Sequence, residues 1–357
     1  MKVLISTGGT GGHIYPALIV GKYLKDNGFE VIFTIGKRER EVEILRQSKE
    51  KFINLPIGYP TKRIFPFQIF LSLFKSYSIL KKEKPNLVFA FGSYASFPIL
   101  FWSKLLKFPY YLHEQNLIPG KVIKLFSKNA KKVFISFKES ENYLNSSNLI
   151  FSGMPLREKI GKIDKKEGLK RFNLKDNKKT FLLIGGSGGS KFLLDLIKKY
   201  EYEILKLNLQ GIIIKGDIKL KEDFKFDCLV FDYINEIEYA FAASDFVISR
   251  GGASTIWEIL YSKKPAIVVP IKRSEHQNKN SNLISKLQVG VILKEDEDKN
   301  FRKLLSDFIS NLEIYKDNFE KLRFPDTKRI ILKEILDAKY WKDPSYWNWR
   351  LWHDFTC

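Results

Sequence analysis

Twice in this chain a short apolar run ends in a cluster of glycines and gives way to a helical pattern. Val3–Ser6 leads into Gly8-Gly9-Thr10-Gly11-Gly12, and Thr180–Ile184 leads into Gly185-Gly186-Ser187-Gly188-Gly189. A glycine-rich turn between strand and helix bares backbone N–H groups at the positive end of the helix, where phosphate binds readily. Glycine is needed there because a side chain would hold the phosphate off. A tight turn alone explains one such loop. Two of them, each after the first strand of its half, point to a duplicated α/β plan.

The rest of the chain follows that plan. Further strands are expected at Val31–Thr34, Leu87–Phe91, Tyr110–Leu112 and Val133–Ser136, then at Gly211–Lys215, Cys228–Phe231, Phe246–Ser249 and Ala266–Pro270. Helical patterns lie between them. The first is expected over Pro16–Asn27, with Pro16 in the first turn and Gly28 as the stop. Short apolar strands separated by helices imply parallel sheets covered on both faces. The pattern pauses near Gly153–Arg157, and a lysine-rich stretch, Lys159–Lys179, precedes the second series. At 357 residues, two domains of roughly 100–200 residues are the natural expectation.

Neither glycine loop matches a nucleotide fingerprint of the commonest kinds. Gly9-x-Gly11 lacks the third glycine of a dinucleotide site, and no acidic residue ends Val31–Thr34 to hold a ribose. No Gly-Lys-Ser/Thr follows either loop, so neither is a Walker A loop. Hydride transfer and ATP hydrolysis are disfavoured. A third constellation, Arg250 to Glu258 (RGGASTIWE), follows strand Phe246–Ser249 and leads into an apolar helix. Gly251 and Gly252 offer N–H groups, and Ser254 and Thr255 add hydroxyls where anions are favoured. Simple N-capping would explain the two hydroxyls, but not the double glycine beside an arginine.

The net charge of +21 asks for an anionic partner: nucleic acid, an anionic membrane face or phosphorylated substrates. A lysine-rich proteome is the plain alternative. No nucleic-acid recognition motif or basic–aromatic platform is present, so nucleic acid is not expected. The apolar run in the opening MKVLISTGGTGGH is about four residues, against the ~7–15 of a secretory leader, and a cytosolic location is expected. Cys228 and Cys357 imply no disulfide framework. Four dispersed histidines give no zinc spacing, and Asp296-x-Asp298 reads as a solvated charged loop. In residues 62–84, Ile64, Phe65, Phe67, Phe70 and Phe74 are flanked by Lys62, Arg63 and Lys75. That segment suits a helix lying in an anionic membrane interface, with an ordinary core helix as the alternative. Trp341, Trp347, Trp349 and Trp352 crowd the end of the chain.

Eight motifs occur in order: GGTGGH (8–13), FGSYASFP (91–98), HEQN (113–116), SGMPLR (152–157), GGSGGS (185–190), FDYIN (231–235), RGGASTIWE (250–258) and HQNKNSN (276–282). Through them the chain resembles, over roughly residues 1–335, the bacterial cell-wall glycosyltransferases of family 28, which add N-acetylglucosamine to undecaprenyl-diphospho-muramoyl-pentapeptide. The resemblance implies a glycosyltransferase-B fold: an α/β chain of two Rossmann-like domains with a cleft between them. It places an acceptor and membrane-associating domain at 1–157 and a UDP-N-acetylglucosamine-binding domain at 158–337; the tryptophan-rich tail at 338–357 lies beyond the resemblance. It implies an inverting transfer giving a β-1,4 link, no metal or other cofactor, and a peripheral site on the cytoplasmic face of the inner membrane, with cell-wall synthesis proteins as partners.

The resemblance also implies site residues. Thr10, Gly11, Gly12 and Asn116 approach the donor diphosphate, and Arg157 and Ser187 contact the nucleotide. Ile234 presents backbone to uracil. Gly252, Ala253, Ser254, Thr255 and Glu258 cradle diphosphate and ribose, with Glu258 on the ribose hydroxyls, and Gln277 reads the sugar. His13, just after the first loop, is the candidate base or a donor to phosphate, and Glu114, at a strand end, is either a second catalytic group or a holder of loops. Ser93, Phe97, Gly188 and Trp257 depart from the usual pattern. A related enzyme acting on another lipid acceptor, such as a diacylglycerol, and a UDP-sugar epimerase remain the alternatives.

Overall fold

The computed structural model describes residues 1–58, 63–220 and 222–340, and side chains as far as residue 337. Lys62 and the tail tryptophans lie outside the described residues. The first lobe is a sheet of β1 (Lys2–Ser6), β2 (Glu30–Ile35), β3 (Phe52–Asn54), β4 (Leu87–Ala90), β5 (Tyr110–Glu114), β6 (Lys132–Ile135) and β7 (Leu149–Phe151), in the order β3-β2-β1-β4-β5-β6-β7. The second lobe comprises β8 (Lys179–Ile184), β9 (Leu209–Ile214), β10 (Cys228–Phe231), β11 (Phe246–Ser249), β12 (Ala266–Val268) and β13 (Gly290–Ile292), in the order β10-β9-β8-β11-β12-β13. All pairings are parallel. Consecutive residues of the central strands are buried, as Val3, Leu4 and Ile5 are, because helices cover both faces.

In each sheet the chain builds outward from the first strand and then returns to its other side. The reversal falls between β1 and β4 in one lobe and between β8 and β11 in the other. Crevices beyond the carboxyl ends of such strands are where open α/β sheets take ligands. The glycine loops after β1 and β8 and the Gly251-Gly252 turn after β11 open at these two points.

The first helix differs from expectation. It spans Gly11–Asp26, so Pro16 lies in the second turn. The proline leaves only the Gly12 carbonyl without its helical partner. His13 N and Ile14 N both donate to Thr10 O, which closes the first turn directly on the glycine loop.

Among the described residues the chain crosses between lobes twice. After β7 it passes through Gly153–Arg157 into the second lobe. It returns before the helix Thr327–Tyr340, whose Ile331, Leu332 and Ile335 sit in the first lobe's core beside Val3, Val31 and Phe33. Lys132 pairs with Glu334 at 2.9 Å, and Tyr111 Oη donates to the Glu334 carbonyl. This last helix therefore packs on the first lobe, although the expected second domain ran to 337. The crossings touch: Thr327 Oγ1 donates to the carbonyls of Ser152 and Met154.

Between the lobes lies shared apolar contact. Trp257 packs on Phe137 (5.9 Å between ring centroids), Phe151 (6.4 Å) and Phe324 (6.2 Å). Its bulk, unusual for the motif, fills this seam.

Candidate active-site cleft

A cavity of 690 Å³ opens between the lobes at the two reversal points. All of the expected donor-site residues line it: Thr10, Gly11, Gly12, Asn116, Arg157, Ser187, Ile234, Gly252, Ala253, Ser254, Thr255, Glu258 and Gln277, together with His13 and Glu114. Loop and helix end face each other closely. A Cβ added to Gly11 would stand 3.6 Å from Ser187 Cβ, and one added to Gly12 would stand 4.0 Å from Ser254 Oγ. Glycine at these positions leaves the gap between lobes open; neither needs positive φ.

The helix Ala253–Tyr261 begins at Gly252, which has no capping side chain. Ser254 and Thr255 lie inside the first turn, so they are not the cap. The free first-turn N–H groups form a positive end directed at the cleft. Ser254 Oγ is buried with no partner among the described residues, and an anion's oxygen in the cleft would satisfy it. Half-buried Glu258 follows one turn on. Burial pushes its carboxyl up to about 7, with Arg157 pulling it down and Glu238 pushing it further up.

Arg157 reaches the cleft wall from the first crossing. Its guanidinium donates to the Asn235 carbonyl, lies 3.6 Å from Glu238 and stands 5.5 Å from the Tyr15 ring centroid. Tyr15 and Tyr233 join hydroxyls across the gap at 2.8 Å. Neither tyrosine was singled out from sequence; Tyr233 stood inside FDYIN, but no signal marked Tyr15. Gln277 Oε1 accepts from Ile271 N at 3.1 Å. Asn280, also unremarked, bridges the lobes: its Oδ1 accepts from Leu117 N at 2.9 Å, and its Nδ2 donates to Asn116 Oδ1 at 3.2 Å.

Glu114 is 1% exposed. One carboxylate oxygen accepts from Asn116 N at 2.8 Å and Asn116 Nδ2 at 3.3 Å, the other from Gly120 N at 2.8 Å. Burial pushes it up to about 7, against the pull of those N–H donors. Its oxygens hold the loop that presents Asn116. His13 stands at the start of the Gly11–Asp26 helix, Nδ1 2.6 Å from Gln115 Oε1. Burial holds its pKa below the usual histidine value, with Gln115 and the Phe91 carbonyl opposing and His276 adding to the depression.

Arg250 is turned away from the cleft. It is buried, donates to Ser190 Oγ (2.9 Å) and the Val269 carbonyl (3.0 Å), and pairs with Glu295 at 2.8 Å. It anchors the second glycine loop. Asp296 and Asp298 pair with Lys272 and Lys199. Among the described residues no group of three or more His, Cys, Asp or Glu side chains is placed to hold a metal ion.

The aromatic segment that follows Arg63 forms the helix Phe65–Glu83. It buries Gln68, Ser72, Ser76, Ile79 and Leu80. Ile64 (55%), Phe67 (63%), Phe70 (53%) and Phe74 (62%) are exposed, as are Arg63 and Lys75. Phe65 is half-buried, its ring edge-on to Tyr94 at 5.6 Å, and does not join that apolar face. Among the described residues no helix is long and apolar enough to cross a membrane.

Residues 3–135 match the glycosyltransferase family 28 N-terminal domain, and residues 180–326 match the family 28 C-terminal domain. The chain is similar to the UDP-N-acetylglucosamine--N-acetylmuramyl-(pentapeptide) pyrophosphoryl-undecaprenol N-acetylglucosamine transferase of Flavobacterium psychrophilum, with 32% identity over 94% of this chain and 97% of that one. Among solved structures it is similar in fold to Acinetobacter baumannii MurG, with a TM-score of 0.74, 20% identity and coverage of 94% and 99%. It is also similar in fold to the UDP-GlcNAc 2-epimerase of Neisseria meningitidis bound to UDP-GlcNAc, with a TM-score of 0.66, 18% identity and coverage of 94% and 100%.

Proposed function

The chain belongs to glycosyltransferase family 28, and on that premise we propose how its cleft works. It is a UDP-N-acetylglucosamine-dependent glycosyltransferase that passes N-acetylglucosamine to undecaprenyl-diphospho-muramoyl-pentapeptide, the step that makes the lipid-linked disaccharide of peptidoglycan. The observation that carries the mechanism is the single cleft in which a glycine loop of one lobe faces an uncapped helix end of the other.

The acceptor's C4 hydroxyl oxygen attacks the anomeric carbon of the donor sugar. Its proton passes to His13, and the electrons of the sugar–phosphate bond leave with UDP. The sugar is inverted to a β-1,4 link. Charge growing on UDP meets the first-turn N–H groups of Ala253–Tyr261, the Ser254 hydroxyl and Arg157, fixed dipoles that need no rearrangement. Thr10, Gly11, Gly12 and Asn116 close on the diphosphate from the first lobe, and Ser187 contacts the nucleotide from the second. Glu258 accepts from ribose hydroxyls, Ile234 offers backbone to uracil and Gln277 reads the sugar. Glu114 acts as a positioning residue, since its oxygens are engaged by the loop. Clamping both substrates in one cleft removes the cost of bringing them together.

The lipid half of the acceptor calls for a membrane surface. Ile64, Phe67, Phe70 and Phe74, flanked by Arg63 and Lys75, supply apolar and cationic contacts for an anionic bilayer on the cytoplasmic face of the cell membrane. There, cell-wall synthesis proteins are the natural partners.

Incubation with labelled UDP-N-acetylglucosamine tests this reading. Label should move to lipid only when the muramoyl-diphospho-lipid is present, and His13→Ala should lower kcat by about 10²–10⁴-fold, the usual worth of a general base. Transfer to diacylglycerol instead, or epimerised sugar without any acceptor, overturns the acceptor assignment. Near-normal turnover by His13→Ala overturns the base.

A further inference from the structure

We infer that Gln115 is the positioning residue that fixes the tautomer of His13, with His113 and the Gly153 carbonyl as its backstop; as an account of catalysis this rests on His13 being the base proposed above. Four contacts form one line, buried except at its His13 end. His13 Nδ1 lies 2.6 Å from Gln115 Oε1. Gln115 Nε2 lies 3.0 Å from both the His113 carbonyl oxygen and His113 Nδ1. His113 Nε2 lies 3.3 Å from the Gly153 carbonyl.

Donor and acceptor identities along this line follow from its two carbonyls. A carbonyl only accepts, so the Gln115 amide must turn its NH₂ to the His113 carbonyl and its oxygen to His13. An amide oxygen also only accepts, so a neutral His13 that keeps this 2.6 Å contact carries its proton on Nδ1. That leaves the lone pair on Nε2. The far end agrees independently. The Gly153 carbonyl takes the proton on His113 Nε2, so His113 Nδ1 accepts from the same NH₂. His113 and Gln115 are 0% and 2% exposed, and Phe91 stacks on the His113 ring at 5.4 Å, so this backstop is held by packing as well as by hydrogen bonds.

The glycine loop does not fix the tautomer unaided. The Phe91 carbonyl is a second acceptor beside the His13 ring, and without Gln115 the ring proton has no reason to stay on Nδ1. A neutral imidazole serves as a base only through the nitrogen that lacks a proton. The anchor at Gly153 lies in the first crossing between lobes, so the orientation of the base is referred to the part of the chain that joins the two halves.

Nitrogen-15 NMR of the histidine-labelled full chain tests this at neutral pH, with the His13 signals assigned by their loss in His13→Asn. The expected result is protonated Nδ1 and unprotonated Nε2 in the wild type, with a mixture of the two tautomers in Gln115→Leu. Gln115→Leu should also lower kcat by about 10- to 100-fold, a fraction of what a general base supplies, with the KM for UDP-N-acetylglucosamine unchanged. A wild-type proton on Nε2 overturns the inference, and that measurement needs no variant to fold. So does a folded Gln115→Leu chain with an unaltered tautomer or an unaltered kcat. If the NMR result is as expected but His13→Ala turns over normally, the base assignment fails and the positioning of His13 by Gln115 stands.

Discussion

Glu114 shows how one buried carboxyl couples loop geometry to pH. Its folded pKa is raised from 4.5 to about 7 because burial outweighs the N–H groups that favour its charge. Between those values the native chain keeps a proton that the unfolded chain has released. The contribution of this group is therefore fullest below about pH 4.5 and declines as pH rises to about 7, by about 3 kcal/mol. Glu114→Gln carries no charge and should lack this decline. Its NH₂ must face one of the loop's N–H donors, so it should be less stable than wild type by about 1–3 kcal/mol in acid, with the gap narrowing in alkali. Denaturant titrations at about pH 5 and about pH 8 give both differences. A parallel loss in the two chains would count against it. Glu258 is shifted the same way but is present in both chains and drops out of the comparison.

Among the elements, the helix Phe65–Glu83 has its apolar pattern reversed relative to the protein interior: Gln68, Ser72 and Ser76 turn inward while Phe67, Phe70 and Phe74 face out. Phe67→Ser with Phe74→Ser should cost little stability, as surface changes seldom exceed about 0.5 kcal/mol. Binding to anionic vesicles should fall at least about tenfold, because each phenylalanine contributes about 1.5–3 kcal/mol when buried in an apolar medium. Unchanged cosedimentation would remove the membrane role of this helix. The sequence made the aromatic cluster plain but not its direction, and so Phe65 was grouped with a face it does not share. Strands were legible where they are central: Val31–Thr34 and Phe246–Ser249 are long enough in apolar residues to announce themselves. The edge strands β3, β7 and β13 were not seen. Each has three residues; β12 is as short, but Val269 and Pro270 prolong its apolar run and make it readable. The cleft was legible because glycine pairs and helix starts are local signals. Arg250 misled for the same reason, since only tertiary structure shows that its guanidinium is spent on Ser190, Val269 and Glu295. The Tyr15–Tyr233 pair, 218 residues apart, had no local signal at all.

At the scale of the whole molecule, the second lobe is inserted into the first, because the last helix returns to the sheet on which the chain began. Removing residues 327–357 should strip Ile331, Leu332 and Ile335 from the first lobe's core. At about 1.5–3 kcal/mol each, that is about 5 kcal/mol or more, comparable with the whole stability of a domain. The shortened chain should be insoluble or unfold far earlier on heating. A melting temperature within a few degrees of the full chain would show that the helix is dispensable.

The contact between the two crossings has a mechanical consequence. A Cβ on Gly153 would come within 2.8 Å of Pro325, and Thr327 is hydrogen-bonded to the residues on either side of that glycine. Outgoing and returning backbone thus meet at one place. Opening the gap while this contact held would require the pairs across it, Tyr15 with Tyr233 and Arg40 with Asp217, to part.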